Sequence, residues 1–368
     1  MPRKVARVRH IFRWDLDKTY LRTEFDSVRA LVRTARLSAE ARENIPGSAA
    51  LIRAIRQSAS DDARHEIYFV SGSPEQLRGV IEKKFALDGF APDGFVLKPA
   101  VSDLFRARFR AIKNQVPYKL GALLTGRAQA PIGAKETLLG DDAESDAFIY
   151  SFYADLVRGG VEEKVLREVL RRARAYDDQI AYISREFEAI VHEPAILRVI
   201  IHLDQLTPPA AFAEYSPLVV PIYNHLQTAL MLALDGTLRI EAVRVVAREL
   251  LEAFGYDPAR LTNSAEDLFR RRRAYLAPEA LERVASELRA QGAETSGGQS
   301  DAALGETMAR IADRADWVKS RPEPRAPAEH KPRDYVELFD REEARRAETR
   351  KAKKDGKAPV TEPAPGDR

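Results

Sequence analysis

Residues 11–21 read Ile11-Phe12-Arg13-Trp14-Asp15-Leu16-Asp17-Lys18-Thr19-Tyr20-Leu21. An apolar run stops here at two aspartates, Asp15 and Asp17, and we predict that residues 5–14 form a buried strand. Just past the end of a strand the backbone curls, so that two carboxylates and a main-chain carbonyl can converge on one cation. Mg²⁺ favours such hard oxygen ligands, with only one or two protein carboxylates. Because Asp and Thr are also ordinary turn residues, a solvated turn explains the pattern equally well when it is taken alone.

Three further apolar runs, at residues 66–70, 94–98 and 136–140, follow this first strand. Between them lie segments with helical periodicity, at residues 48–57, at residues 75–85 and from residue 117 onward. Strands that alternate with helices are typical of a doubly wound parallel sheet with helices on both faces. The predicted fold class is therefore α/β, of the Rossmann-like type.

Polar residues stand directly after three of the predicted strands. Asp15 and Asp17 follow the first strand, Ser71 follows the second and Asp141 follows the fourth. In open α/β sheets, ligands bind beyond the carboxyl ends of the strands. We therefore expect these side chains to lie together at one edge of the sheet.

Composition limits the possible functions. The 368 residues include 59 basic and 56 acidic side chains, so the net charge of +3 gives no strong nucleic-acid signal. The chain contains no cysteine, which excludes disulfides, thiolate metal sites and a cysteine nucleophile. The N-terminal segment lacks the apolar run of an export signal. We expect a cytoplasmic protein whose contact with a membrane, if it has one, is transient and peripheral.

Three regions are predicted along the chain. Residues 1–158 form the α/β domain. Residues 159–290 show almost purely helical periodicity, including the apolar residues between Ile196 and Leu203, and are expected to form an all-α domain. Residues 291–368 are rich in Pro and charged residues, and we expect a largely disordered tail with transient helix at residues 306–318 and 335–354.

The polar motifs follow one another in a fixed order. Asp15-x-Asp17-x-Thr19 comes first, and Ser71 follows the second strand. Lys119 then lies at a helix start, and Asp141-Asp142 and Asp146 follow the fourth strand. Over residues 5–155 this order resembles the haloacid dehalogenase superfamily of phosphohydrolases. The resemblance implies a core of that type. The spacings from Thr19 to Ile67 and from Pro74 to Lys119 leave no room for a large inserted cap.

The resemblance also implies a role for each motif residue. Asp15 would be the nucleophile that takes the phosphoryl group, and Asp17 would be the general acid and base. Lys119 would neutralise negative charge on the nucleophile and on the phosphate. Thr19, Ser71 and Gly72 would contact the phosphate, and Asp15, Asp17 and Asp141 would form a Mg²⁺ site. Asp142 and Asp146 are the two candidates for a supporting acid, and Asp146 is favoured.

The residues of individual motifs indicate one family within this superfamily. The segments Ser71-Gly72-Ser73-Pro74-Glu75-Gln76 and Glu144-Ser145-Asp146-Ala147-Phe148-Ile149-Tyr150 look like those of the phosphatidate phosphatase family named from an actin-patch protein. The substrate that this implies is a phosphomonoester, with phosphatidate, a membrane lipid, as the first candidate. Within the basic and aromatic stretch 105–110, Arg106, Arg108 and Arg110 are candidates to grip an anionic membrane, and a solvated Arg face over two packed Phe side chains is the favoured alternative.

A second functional hypothesis comes from a different class. The protein could be a binding or scaffolding protein with a vestigial phosphatase core, whose helical domain recruits a partner. Retention of every acidic motif argues against this hypothesis, because a purely structural role has no need for like charges beside each other. Activity of the purified protein towards phosphomonoesters discriminates between the two.

Overall fold

A parallel sheet forms the centre of the protein in the computed structural model, which describes residues 7–22, 38–58, 63–98, 115–293, 299–322 and 332–354. Within these residues the sheet has six strands in the order β3-β2-β1-β4-β5-β6. Every neighbouring pair is parallel. The strands are β1 (Arg7–Trp14), β2 (Ala63–Pro74), β3 (Gly94–Lys98), β4 (Lys135–Asp141), β5 (Ile196–His202) and β6 (Val219–Ile222).

Helices cover both faces of this sheet, as parallel strands require. In the described part of the chain they are α1 (Ser48–Gln57), α2 (Arg78–Leu87), α3 (Gln115–Ala128), α4 (Asp146–Val157), α5 (Glu163–Arg172), α6 (Asp177–Ala189), α7 (His225–Leu234), α8 (Glu241–Ala253), α9 (Pro258–Arg272), α10 (Pro278–Ala293), α11 (Gln299–Lys319) and α12 (Tyr335–Lys354). The predicted helix over residues 75–85 opens with a 3₁₀ turn, Glu75–Leu77, before α2 begins.

Alternate strand residues point to opposite faces and build two apolar cores. Phe12 and Trp14 of β1 and Phe69 of β2 face the core that α1, α2 and α7–α11 cover. Leu138 of β4 and Val199 of β5 face the other core, which α3–α6 and α12 cover. The α/β fold class and the first four strands are thus confirmed.

The prediction of purely helical structure after residue 161 is wrong in two places. Residues 196–202 and 219–222 are β5 and β6, which extend the sheet that carries the predicted active-site residues. The central residues of β5, Val199–His202, are buried. A strand buried on both faces has a continuous apolar run, and periodicity alone cannot distinguish such a run from a buried helix.

Helices α11 and α12 include the two stretches of the tail for which transient helix is predicted, 306–318 and 335–354. They differ from expectation in being packed on the two cores. Leu304, Met308 and Ile311 of α11 join the core beneath α7–α10. Tyr335 and Phe339 of α12 pack against Phe148 of α4. The sequence of this region is rich in charged residues, yet these few apolar side chains fall on one face of each helix.

Two sequence-based statements concern other parts of the chain. The basic stretch with Arg106, Arg108 and Arg110 lies outside the described residues. Among the helices that are described, none combines the length and the apolar character needed to cross a bilayer.

Packing of α11 can be tested by truncating a core side chain. Ile311 is fully buried, so Ile311→Ala should lower the free energy of unfolding by about 2–5 kcal/mol, as truncations in a packed core do. The exposed neighbour Arg310 is the control, because Arg310→Ala should change it by no more than about 0.5 kcal/mol. Equal, negligible effects of both substitutions in urea unfolding would indicate that α11 does not pack.

Candidate active site

The loop after β1 places Asp15 and Asp17 at the carboxyl edge of the sheet. The N–H of Asp15 donates to Leu139 O of β4 at 2.8 Å, so Asp15 still belongs to the sheet's hydrogen-bond network. Lys18 has a φ of 60°, a left-handed conformation that is uncommon for a residue with a side chain. The Lys18 N–H donates to Leu21 O at 2.7 Å and closes a tight turn. The turn fixes the backbone directly after Asp17.

Two serines of β2 hold the carboxylate of Asp17. Ser71 Oγ donates to Asp17 Oδ2 at 3.2 Å, and Ser73 Oγ donates to the same oxygen at 2.8 Å. Ser73 N also donates to Ser71 Oγ at 2.9 Å. Because β2 continues to Pro74, Ser71 and Ser73 point to the same side of the strand. The predicted neighbours Asp17 and Ser71 therefore meet.

Four carboxylates converge beside this loop. One oxygen of each lies within 4.8 Å of the others, and the group consists of Asp15, Asp141, Glu144 and Asp146. Asp15, Asp141 and Asp146 are almost completely buried. Like charges at this separation repel strongly in a site shielded from water, so the group needs cations to be stable.

Lys119 of α3 supplies one of those cations. Its Nζ lies 3.1 Å from Asp15 Oδ1, 2.9 Å from Glu144 Oε2 and 2.5 Å from Asp146 Oδ1, and its side chain is fully buried. Burial lowers the pKa of Lys119, but the surrounding carboxylates outweigh this effect and hold the pKa well above its usual range. Lys119 is therefore charged at neutral pH.

A single lysine does not balance four carboxylates. Burial raises the pKa of Asp15 and of Asp141 well above their usual range, and the neighbouring carboxylates add to both increases. Asp15 Oδ2 and Asp141 Oδ2 are buried and accept no hydrogen bond. Buried polar oxygens without a partner are rare in proteins. Two such oxygens beside an excess of negative charge are suited to a metal cation.

Asp142 and Asp146, the two candidates for the supporting acid, lie in different surroundings. Asp146, the first residue of α4, contacts Lys119 and accepts a hydrogen bond from Asp141 N at 3.3 Å. Asp142 instead accepts hydrogen bonds from the N–H groups of Gln205 and Thr207 in the loop after β5, at 2.8 and 2.9 Å. The geometry thus places Asp146 beside Asp15 and Asp141, and it assigns Asp142 to loop support.

Gly140 makes the approach of Asp146 possible. A Cβ on Gly140 would overlap the carboxylate of Asp146. Any larger residue at the end of β4 would therefore displace a carboxylate that contacts Lys119.

The comparisons with known proteins give one match. Residues 14–168 match the family model described as phosphatidate phosphatase APP1, catalytic domain. The predicted family resemblance is confirmed. The predicted membership of the haloacid dehalogenase superfamily is consistent with this match. The same match confirms the prediction of a phosphoric monoester hydrolase. Neither the search of curated proteins nor that of solved structures gave a match.

The phosphatidate phosphatase match ends at residue 168, but two later histidines contact the loop after β1 that carries Asp17. His202 Nδ1, at the end of β5, donates to Lys18 O at 2.8 Å, and His225 Nε2, at the start of α7, donates to Thr19 O at 3.0 Å. Burial lowers the pKa of both imidazoles, that of His225 to about 3. Both rings are therefore neutral at pH 7, each with one N–H, which these carbonyls accept.

Sequence reasoning missed the two histidines and three residues of the site, Ser73, Lys98 and Glu144. Lys98 Nζ, at the end of β3, lies 5.3 Å from the centre of the Tyr118 ring and would lie 3.6 Å from a Cβ placed on Gly72. Burial lowers the pKa of this lysine. Ser73 could have been identified from the sequence if the predicted strand had been extended past Ser71, because alternate strand residues share a face. Lys98 is the last residue of the predicted strand 94–98, and a polar residue at the carboxyl end of a strand is itself a candidate for the site.

Gly72 and Thr19 are the other two residues predicted to contact a phosphate. Gly72 lies between Ser71 and Ser73, beside Lys98 and the side-chain amide of Gln115. Thr19 is buried, and its Oγ1 has no hydrogen-bond partner. Their roles toward a phosphate stay predictions.

The different surroundings of Asp146 and Asp142 predict opposite effects of removing their charges. Asp146→Asn should lower kcat/KM by about 10–100-fold, as loss of a supporting acid does, because Lys119 loses its nearest carboxylate. Asp142→Asn should change kcat/KM by only a few fold but lower the free energy of unfolding by about 1–3 kcal/mol, since an amide cannot accept both backbone hydrogen bonds.

Steady-state kinetics on a soluble phosphomonoester and urea unfolding of both variants provide the measurements. A larger activity loss for Asp142→Asn than for Asp146→Asn would contradict this assignment.

Proposed function

We propose that the protein is a Mg²⁺-dependent phosphatase that hydrolyses a phosphomonoester, with phosphatidate as the first candidate, through an aspartyl-phosphate. The observation that carries the proposal is the buried contact between Asp15 and Lys119 inside the acidic group, at the carboxyl edge of the sheet. The match of residues 14–168 to a phosphatidate phosphatase catalytic domain supports the same reaction.

In the proposed reaction a carboxylate oxygen of Asp15 attacks the phosphorus atom, and the bond between phosphorus and the ester oxygen breaks. Asp17 donates a proton to the leaving oxygen, which departs as an alcohol. Asp17 then takes a proton from water, and the resulting hydroxide attacks the aspartyl-phosphate. Inorganic phosphate leaves and the carboxylate of Asp15 is restored. Splitting the reaction in this way replaces one difficult step with two easier ones.

The contacts of Asp17 suit this exchange of protons. Ser71 and Ser73 both donate to Oδ2, so the carboxylate is held in one orientation. A general acid and base must be positioned before its pKa matters. Lys119 offsets the repulsion between Asp15 and an approaching phosphate, while Thr19, Ser71 and Gly72 would contact the phosphate oxygens.

Mg²⁺ would be held by the carboxylates of Asp15 and Asp141 and by the main-chain carbonyl of Asp17. The residues fit this ion, because Asp15 Oδ2 and Asp141 Oδ2 are buried without a partner and hard oxygens are the ligands that Mg²⁺ prefers. When bound, Mg²⁺ supplies positive charge and Lewis acidity at the phosphate. Asp146 and Glu144 stay paired with Lys119.

Cation binding should stabilise the protein, because it relieves repulsion among the buried carboxylates. At a concentration about ten times its Kd, Mg²⁺ would add roughly 1.4 kcal/mol to the free energy of unfolding, which corresponds to a rise of a few degrees in Tm. Asp141→Asn should abolish the rise. Thermal melts with Mg²⁺ and with a chelator test this. A wild-type Tm unmoved by millimolar Mg²⁺, in a protein that turns over substrate, would contradict the metal site.

Removal of the nucleophile tests the reaction itself. Asp15→Asn should lower hydrolysis of phosphomonoesters by at least about a thousandfold, as loss of a nucleophile does in enzymes whose residues act together. The exposed Asp177 on α6 provides the matched control, and Asp177→Asn should keep wild-type activity. Undiminished hydrolysis by Asp15→Asn would contradict the assignment of Asp15 as the nucleophile.

Three substrates distinguish the substrate class when assayed side by side with wild-type protein. They are phosphatidate in vesicles, a soluble sugar phosphate and a 5′-phosphorylated oligonucleotide. Preference for phosphatidate is the expected result. Strong preference for the sugar phosphate would contradict the lipid assignment, and a protein inert towards all three would favour a binding role with a vestigial core.

A further inference from the structure

The C-terminal helix α12 runs antiparallel to α4. Tyr335 Oη donates to Ser151 O at 2.9 Å. The ring of Phe339 lies 5.8 Å from that of Phe148, and Arg346 Nη1 donates to Ser145 Oγ at 2.9 Å. As the residue number rises along α12, the number of the contacted residue falls along α4 and its N-cap.

This course carries the end of α12 past the active-site edge of the sheet. Helix α4 begins at Asp146, directly after the loop that follows β4, so its N-terminus lies at the carboxyl edge. Arg346 of α12 lies beside the N-terminus of α4, and α12 continues to Lys354. Eight further helical residues extend about 12 Å. The last two turns of α12 therefore project beyond the edge at which Asp15 and Asp141 lie.

The two halves of α12 differ in charge. Residues 335–343 contain four acidic residues and one arginine, whereas residues 344–354 contain six basic residues and a single acid, Glu348. Apart from alanines, the second half has no apolar residue. Such a segment can bind an anionic surface by charge, but it has no side chain to insert into a membrane core.

We propose that the basic end of α12, residues 345–354, binds an anionic lipid surface and holds the active site against it. The inference rests on the proposed function, because a phosphatase of phosphatidate must meet its substrate in a membrane. Arg346 is tied to Ser145, and Glu342 contacts Arg345 at 2.7 Å. Arg346 thus ties the helix to the residue before α4, whereas the pair of Arg345 lies within α12. The lipid contact is assigned to the four basic residues that follow in the sequence of the helix, Arg350, Lys351, Lys353 and Lys354.

The test measures co-sedimentation of the full-length protein with vesicles. One set of vesicles is pure phosphatidylcholine, and the other contains phosphatidylserine as well. The variant carries Arg350→Gln, Lys351→Gln, Lys353→Gln and Lys354→Gln, which keep good helix formers at each position. A matched control carries four changes of the same kind near the starts of β1, β2, β4 and α5, Arg9→Gln, Arg64→Gln, Lys135→Gln and Lys164→Gln.

Wild-type protein should bind the anionic vesicles and not the neutral ones. Each basic residue near an anionic membrane contributes roughly fivefold to binding, so loss of four such residues should make the α12 variant bind roughly several hundredfold more weakly. The control should bind like the wild type, and high salt should weaken wild-type binding because it screens the charges. Equal binding by the variant and the wild type would overturn the proposal, as would tighter wild-type binding to an oligonucleotide than to anionic vesicles.

A kinetic arm separates this inference from the proposed function. With phosphatidate in anionic vesicles, the α12 variant should show a raised apparent KM and a kcat close to that of the wild type. A wild-type protein that hydrolyses no phosphatidate, either in vesicles or as a short-chain monomer, would refute the proposed substrate. Co-sedimentation would still decide whether α12 binds the lipid surface.

Discussion

The buried ammonium of Lys119 is the contact on which the arrangement of the site depends. It lies between Asp15 after β1, Asp146 at the start of α4 and Glu144 in the loop between β4 and α4. Burying charges costs several kcal/mol per ion unless partners compensate them. Three chain segments must therefore meet at Lys119 together, because displacement of any one leaves a buried charge uncompensated. Parallel strand order brings them together, since β1 and β4 are neighbours and end at the same edge.

The loop after β1 depends equally on residues far along the chain. His202 and His225 bind the carbonyls of Lys18 and Thr19, and Asp142 holds the loop after β5. These contacts explain how Lys18 keeps a backbone conformation that is unfavourable for a residue with a side chain. Segments beyond the phosphatidate phosphatase match thus belong structurally to the site.

Much of the first half of the molecule could be predicted because its signals are local. A continuous apolar run followed by Asp or Ser predicts a buried strand that ends at a site, as β1, β2 and β4 do. The predicted residues Asp15, Asp17, Ser71 and Asp141 lie at one edge of the sheet for that reason. Lys119 and Asp146 join them from α3 and from the start of α4. Strand β5 shows the limit of local signals, because its buried residues from Val199 to His202 are also compatible with a buried helix.

The remaining features depend on contacts that leave little trace in the sequence. A histidine that donates to a backbone carbonyl can bind any residue type at the accepting position, so the sequence of the accepting loop does not reveal it. Asp142 and Asp146 stand in one motif, and their difference arises from what lies opposite each carboxylate: the backbone after β5 for one, Lys119 for the other. Side-chain direction, and therefore chemical role, is set by the tertiary fold, which explains why motif spacing left both residues as candidates and why geometry separates them.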